Sequence, residues 1–222
     1  MARVRSQTFT TIRTEGGLLP ADILVRIASL DKAIPGLANS DYHLMKGESF
    51  GNKIADSWSR LSSAWRHFAE LSSALPEGDN GTTLTREKWL LPLFNELGYG
   101  RLSVSRAIDV DGKSFALSHV WSTVPIHLVG VNIPLDRRSA GVKGASGSSP
   151  HSLVQEFLNR SKSHLWAFVS NGLSMRVLRD NASLTRQAYV EFDLEAMFSE
   201  DVYEDFVVLW MVCHQSRVES ED

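Results

Sequence analysis

The sequence predicts an α/β (α+β) protein, with a helical N-terminal extension over residues 1–75 and a mixed-sheet α/β domain over residues 76–222 that closes on a C-terminal helix. Three observations carry this. Phe50, Ile54, Trp58, Leu61, Trp65, Phe68 and Leu71 recur at steps of three and four, the spacing of one helical face. Beyond Gly100 the pattern changes to short runs rich in β-branched and aromatic residues. Asp111-Gly112 and Asn171-Gly172 sit between such runs and are tight-turn pairs.

Taken in order, LLPADILVRIASL reads as a short helix with its proline in an early, permitted position. KAIPGLANSDYHLMKG follows as a loop broken by proline, glycine and asparagine. The long amphipathic helix comes next, and its tryptophans read as core rather than as base-stacking residues. ALPEGDNGTT is a turn-rich linker and the expected boundary between the two parts. Thr85 is placed to cap a helix through TREKWLLPLFNELGYG, kinked at Pro92 and ended by Gly98 and Gly100. SVSRAIDV, SFALSHVW and VPIHLVGVNI are strand-like. After a glycine- and serine-rich loop, Ser149 caps a helix whose first position is Pro150. LWAFVS and LSMRVLRD alternate as two strands, and AYVEFDL extends the sheet. SEDVYEDFVVLWMVCHQ has a serine, then acids, then apolar residues, and suits a capped C-terminal helix.

The bulk properties bound the function. At 222 residues, with 43% hydrophobic and 22% charged residues, the chain has the size and composition of an ordinary globular protein. No apolar run has membrane-helix length, and the start MARVRSQTFTTIRTEGG lacks the apolar core of a secretory signal. The single cysteine, Cys213, excludes an internal disulfide framework and fits the reducing cytoplasm. No CxxC pair is present, so a zinc site is not expected. The net charge of −3 is unremarkable, but its distribution is uneven. Arg160, Lys162, Arg176, Arg179 and Arg186 face one acid, Asp180, between positions 159 and 186, whereas ten acids and one arginine follow from position 191. A basic, phosphate-facing surface beside an acidic one is one consequence; two solvated faces of opposite sign is the other.

From Thr85 onward the order is helix, three strands, helix, two strands, and this contains the αβββαβ order of PD-(D/E)XK nuclease cores. Longer phrases are more specific. GGLLPADILVRI, VDGKSFALSHVW, VPIHLVGVNIPLDRR, SSPHSLVQEFLNRS, LWAFVSNGLSMRVLRDNASLTRQAYVEFDLEAMF and VCHQSR resemble the N-terminal region of large bacterial type IIG-like restriction–modification methylases and of related phage-defence proteins. A helix carrying Gln155, followed by a strand and the Ser170-Asn171-Gly172 turn, also resembles a wider set of restriction subunits. The resemblance implies a parent protein that methylates adenine N6 with S-adenosylmethionine. It also implies duplex DNA, the methyltransferase domain or other defence-system subunits as partners. The chain itself has no Asn-Pro-Pro motif for an extruded base and no glycine-rich cofactor turn, so no cofactor is expected within it.

A PD-(D/E)XK site needs an aspartate and an acid-x-lysine on neighbouring strands to hold a divalent metal, magnesium in the usual case. His119 and His127 stand where the acids are expected and Val129 where the lysine is. A migrated nuclease site would draw on Asp111, Asp136 and Glu156, with Lys113 or Lys143 as the amine and Gln155 as a helper; Lys113 belongs to a turn-like Asp-Gly-Lys. The two histidines are alternatively metal ligands lacking a third partner. Ser118-His119 with Asp109 or Asp111 has no nucleophile elbow and is set aside as a hydrolase triad. The DNA-contact candidates are Arg137, Arg138 and Lys143 in the flexible loop, Arg160 after the helix, and Arg176 and Arg179 on a strand; Ser146, Ser148 and Ser149 could add hydrogen bonds. Three functions follow. The first is a non-catalytic nuclease-like module that contacts DNA or scaffolds the methyltransferase. The second is a divergent metal-dependent endonuclease. The third is a docking module for defence partners that uses Glu200, Asp201, Glu204 and Asp205.

Overall fold

A computed structural model describes residues 9–31, 33–180 and 188–219. The core of the fold is a seven-stranded mixed sheet. It uses β1 (Ile12–Glu15), β2 (Ser103–Val104), β5 (His119–Trp121), β6 (Val124–Leu128), β7 (Trp166–Ser170), β8 (Ser174–Arg179) and β9 (Tyr189–Asp193). Their spatial order is β1-β9-β8-β7-β6-β5-β2. Only β6 and β7 pair in parallel; every other neighbour is antiparallel. A parallel pair needs a crossover, and α5 (Pro150–Arg160) supplies it. A separate hairpin, β3 (Ile108–Val110) with β4 (Lys113–Phe115), is inserted between β2 and β5. Asp111 and Gly112 at its tip have φ of 48° and 75°, the two positive values that a type I′ turn demands.

Alternation along the strands divides the core into two layers. Ile126, Leu128, Phe168, Met175 and Val177 face α2 (Phe50–Ser73), α4 (Leu91–Glu96), α6 (Leu194–Ser199) and α7 (Tyr203–Cys213). Val129, Ala167, Val169 and Leu178 face α5. The stripe read on α2 is core: Phe50, Ile54, Leu61, Trp65 and Phe68 are buried, and Trp58 stacks on Phe198 at 4.9 Å. The hydrophobic cluster runs across the expected boundary at residue 75, joining Leu61, Trp65 and Phe68 to Trp89, Phe94 and Trp210. The N-terminal part is also not purely helical. Besides α1 (Ala21–Ala28) and α2 it supplies the edge strand β1, paired in register with β9 from Ile12 opposite Phe192 to Glu15 opposite Tyr189.

Two expected caps are corrected. The helix around Trp89 starts earlier than Thr85: α3 (Thr82–Thr85) runs into a π-turn at Arg86–Leu90 and then α4. Thr85 lies inside it, its hydroxyl donating back to Gly81 O at 2.8 Å. Pro92 sits in the first turn of α4, directly after the π-turn, where its missing N–H is tolerated. The C-terminal apolar run forms α7, preceded by the short α6, and α7 starts after Val202 without a side-chain cap, so Ser199 does not cap it. Ser149 does cap α5, accepting from Ser152 N, with Pro150 at the first position. Among the described residues no helix is long and apolar enough to cross a membrane.

Candidate nucleic-acid interface

The carboxyl ends of the parallel pair β6 and β7, with the loop that follows β6, form the region where the sequence placed most of its candidates. Strand register decides what the two histidines do. His119 pairs with Ile126 and so shares its face of the sheet; His127, one residue on, projects from the opposite face. The imidazoles therefore do not converge on one ligand. The Ser118 hydroxyl accepts from Leu128 N at 2.7 Å and donates to Ile126 O at 3.1 Å. Its single proton is thus committed, so His119 donates to it from Nδ1 at 2.9 Å. His127 Nε2 lies 2.9 Å from Gly144 O; a carbonyl only accepts, so Nε2 carries the proton. That leaves His127 Nδ1 without a partner among the described residues. Burial holds both rings neutral, with pKa values down to about 4, and the nearby Arg86 guanidinium pushes the same way.

Arg86 was not singled out from the sequence. It leaves the π-turn and donates from Nε and Nη2 to Leu128 O, closing the end of β6. It is half-buried, burial lowers its pKa, and no carboxylate pairs with it among the described residues. Its sequence signal is faint, because one arginine in an otherwise ordinary helical run looks like a solvated side chain. The ends of β5 and β6 thus carry a cation and two neutral imidazoles. Among the described residues no three His, Cys, Asp or Glu side chains are grouped to hold a metal ion.

The migrated acids are dispersed. Asp111 sits exposed at the hairpin tip. Lys113 Nζ reaches Glu156 Oε2 at 2.6 Å, and Glu156 Oε1 takes Arg160 Nε at 3.0 Å. Lys113 and Arg160 lower the Glu156 pKa, Lys113 the more strongly, so this carboxylate is an acceptor already in use. Gln155 Nε2 spans from α5 to Arg179 O at 3.2 Å and to Asn159 Oδ1 at 2.9 Å, a tie between helix and strand. Asn171 builds its own turn: Oδ1 accepts from Leu173 N and Ser174 N, and Nδ2 donates to Ile133 O.

The six expected DNA contacts separate into three groups. Arg137, Arg138 and Lys143 are exposed, and no ion pair holds them among the described residues. Their loop is nonetheless fixed: Ser139 N donates to Ala145 O, Val142 N to Ser139 O, Ala145 N to Val142 O, and His127 to Gly144 O. Arg160 and Arg179 are exposed but engaged, the first with Glu156 and the second over the Trp166 ring at 5.4 Å. Arg176 is a correction. Its side chain is 7% exposed, and its guanidinium meets Asp136 through Nη1 and Nη2 at 2.6 and 2.7 Å and Glu191 through Nε at 2.6 Å. The strand alternation puts it under α5 rather than on the surface, so it cannot reach a phosphate. Asp136 is likewise spent on Arg176. Ser149 is buried in its capping role, while Ser146 stays exposed in the loop. Arg186 lies outside the described residues.

The proposed acidic docking face is also revised. Glu200, Asp201 and Glu204 are exposed, but Asp205 is buried and accepts from Thr10 N at 3.1 Å, Thr11 N at 2.8 Å and Thr11 Oγ1 at 2.7 Å. It anchors the segment entering β1 to α7. No family model, curated protein or solved structure matches this chain.

Proposed function

We propose that the chain is a nuclease-shaped, non-catalytic module that contacts duplex DNA, the N-terminal part of a restriction–modification or phage-defence adenine methyltransferase. The resemblance of its long phrases supplies the parent protein, and S-adenosylmethionine belongs to that parent. The observation that carries the module's own role is at the ends of β5 and β6. Neutral His119 and His127 and the half-buried Arg86 occupy the region where, on this reading, metal-dependent cleavage needs carboxylates, while Arg137, Arg138 and Lys143 stand on an adjacent, pinned loop without an ion pair among the described residues. Helix α4, strands β2, β5 and β6, crossover helix α5 and strand β7 follow one another in the order of a PD-(D/E)XK core, which supports the nuclease-shaped reading.

Such a loop neutralises backbone phosphates without reading bases, a contact that positions a protein on DNA. Incubating the protein with supercoiled plasmid in magnesium or manganese tests the non-catalytic half. Intact plasmid is expected. Metal-dependent nicking that disappears in Glu156→Ala or Asp111→Ala would establish the endonuclease alternative instead.

A further inference from the structure

Between α1, segment 34–37, the end of α7 and the sheet lies a partly open, mostly apolar cavity of about 290 Å³. Ile23, Ile27, Trp166, Val177, Val190 and Met211 are among its walls. Small-molecule sites are concave and mostly apolar, and apolar walls hold water poorly. An engineered apolar cavity of about 150 Å³ stays dry and takes up benzene. The space here is roughly twice that.

Among the described residues one charged group lines it. Arg217 donates from Nε to Ser216 Oγ at 3.2 Å, from Nη1 to Gly36 O at 2.8 Å and from Nη2 to Asp41 O. Its guanidinium lies 4.2 Å from the centre of the Tyr42 ring. Three of its N–H groups are thereby used and two remain. Two neighbouring carboxylates are occupied elsewhere: that of Asp41, whose carbonyl takes Arg217, accepts from Ala38 N, and that of Glu219, two residues on, meets His43 at 2.8 Å. Among the described residues no carboxylate bonds to Arg217. A held guanidinium with donors to spare, set into an apolar wall, recognises a carboxylate attached to an apolar body.

We propose that this cavity binds a small amphipathic carboxylate, an aliphatic or aromatic acid with a body of about ten carbons on the scale set by benzene. The apolar part fills the space against Val177 and Val190, and the head meets Arg217. This site is separate from the basic loop and does not rest on the DNA-contact reading.

Calorimetric titration with decanoate tests it, with decanol and acetate as controls. Decanoate is expected to bind saturably, decanol at least tenfold more weakly, and acetate undetectably. Arg217→Gln should bring decanoate down to the level of decanol. Ile23→Trp, which fills the cavity from the half-buried face of α1, should remove both, with the circular dichroism spectrum unchanged. Absence of saturable decanoate binding at millimolar concentration, equal binding of decanoate and decanol, or decanoate binding that survives Ile23→Trp would each overturn the proposal. The last two comparisons stand even if Arg217→Gln loosens the segment it holds.

Discussion

His127 on β6 holds the basic loop in place by donating from Nε2 to the carbonyl of Gly144, 2.9 Å away and seventeen residues on. The fit is close on both sides. A Cβ on Gly144 would lie 2.5 Å from His127 Cε1 and 2.9 Å from Ala116 O, and Gly144 has φ of 80°. The side chain that fills an expected acid position therefore has a mechanical role.

Removing either partner should loosen the loop. His127→Leu leaves the Gly144 carbonyl without its donor and is expected to cost about 1–3 kcal/mol. Gly144→Ala forces a Cβ into the ring and a left-handed backbone, and should cost at least as much, about 2 kcal/mol or more. Urea unfolding monitored by tryptophan fluorescence measures both. A change under about 0.5 kcal/mol in either variant would contradict the clamp.

Acid should destabilise the fold in a window set by its buried histidines. His119, His127, His151 and His214 all have pKa values lowered from 6.5 to about 4, with burial as the largest cause. A base whose folded pKa is depressed favours the neutral form in the folded state. Its contribution is complete above 6.5 and is lost as the pH falls toward 4, because the unfolded chain takes up the proton first. Each such group removes up to about 1.4 kcal/mol per pH unit within that window. Unfolding free energies at pH 8.5, 7.5, 5.5 and 4.5 should be level between the first two and fall steeply thereafter. A profile flat down to pH 4.5 would refute the assignment.

Arg176 is predicted to matter for stability and not for DNA. Arg176→Met strands Glu191, whose side chain is 14% exposed, while Asp136, at 62%, stays solvated. The expected loss is about 3 kcal/mol, most of it from the buried carboxylate. Adding Glu191→Gln to Arg176→Met should recover part of it. The folded fraction should bind DNA as the wild type does; a loss of affinity in fully folded Arg176→Met would restore the phosphate contact first expected from the sequence.

A fourth test concerns the turn between β7 and β8. Trp89 Nε1 donates to Gly172 O at 2.8 Å, and a Cβ on Gly172 would lie 2.6 Å from Thr85 Cγ2, at φ of 87°. Gly172→Ala should cost more than Trp89→Phe, about 2–4 kcal/mol against roughly 1. The reverse order in thermal unfolding would contradict the close approach of turn and helix.

Much of the fold was legible because it is written locally. The α2 stripe, the Asp111-Gly112 hairpin, the Ser149-Pro150 helix start and the β7–Asn171-Gly172–β8 turn each sit within a short window. β1 was not legible: it is four residues, IRTE, with one of them, Ile12, buried, and its strand identity comes from β9 far along the chain. The site was read less well for the same reason. Lys113 meets Glu156 across 43 positions and Arg176 meets Asp136 across 40, so no local pattern separates a free cation from a spent one. Period-two alternation could have flagged Arg176, since Met175, Arg176, Val177 and Leu178 form a run buried on both faces. The expectation that His119 and His127 replace acids was read from position alone; their opposite faces required the register.

The salt dependence of duplex DNA binding tests the central claim most directly. Fluorescence anisotropy on a short duplex, across a series of salt concentrations, gives the slope of log affinity against log salt. Each phosphate neutralised adds about 0.9 to that slope. Arg137→Gln, Arg138→Gln and Lys143→Gln together should reduce it by about 2.7, in a protein whose urea midpoint is unchanged. A wild-type protein that fails to bind even at low salt, or a triple variant with the same slope, would contradict the assignment of this loop as the DNA contact.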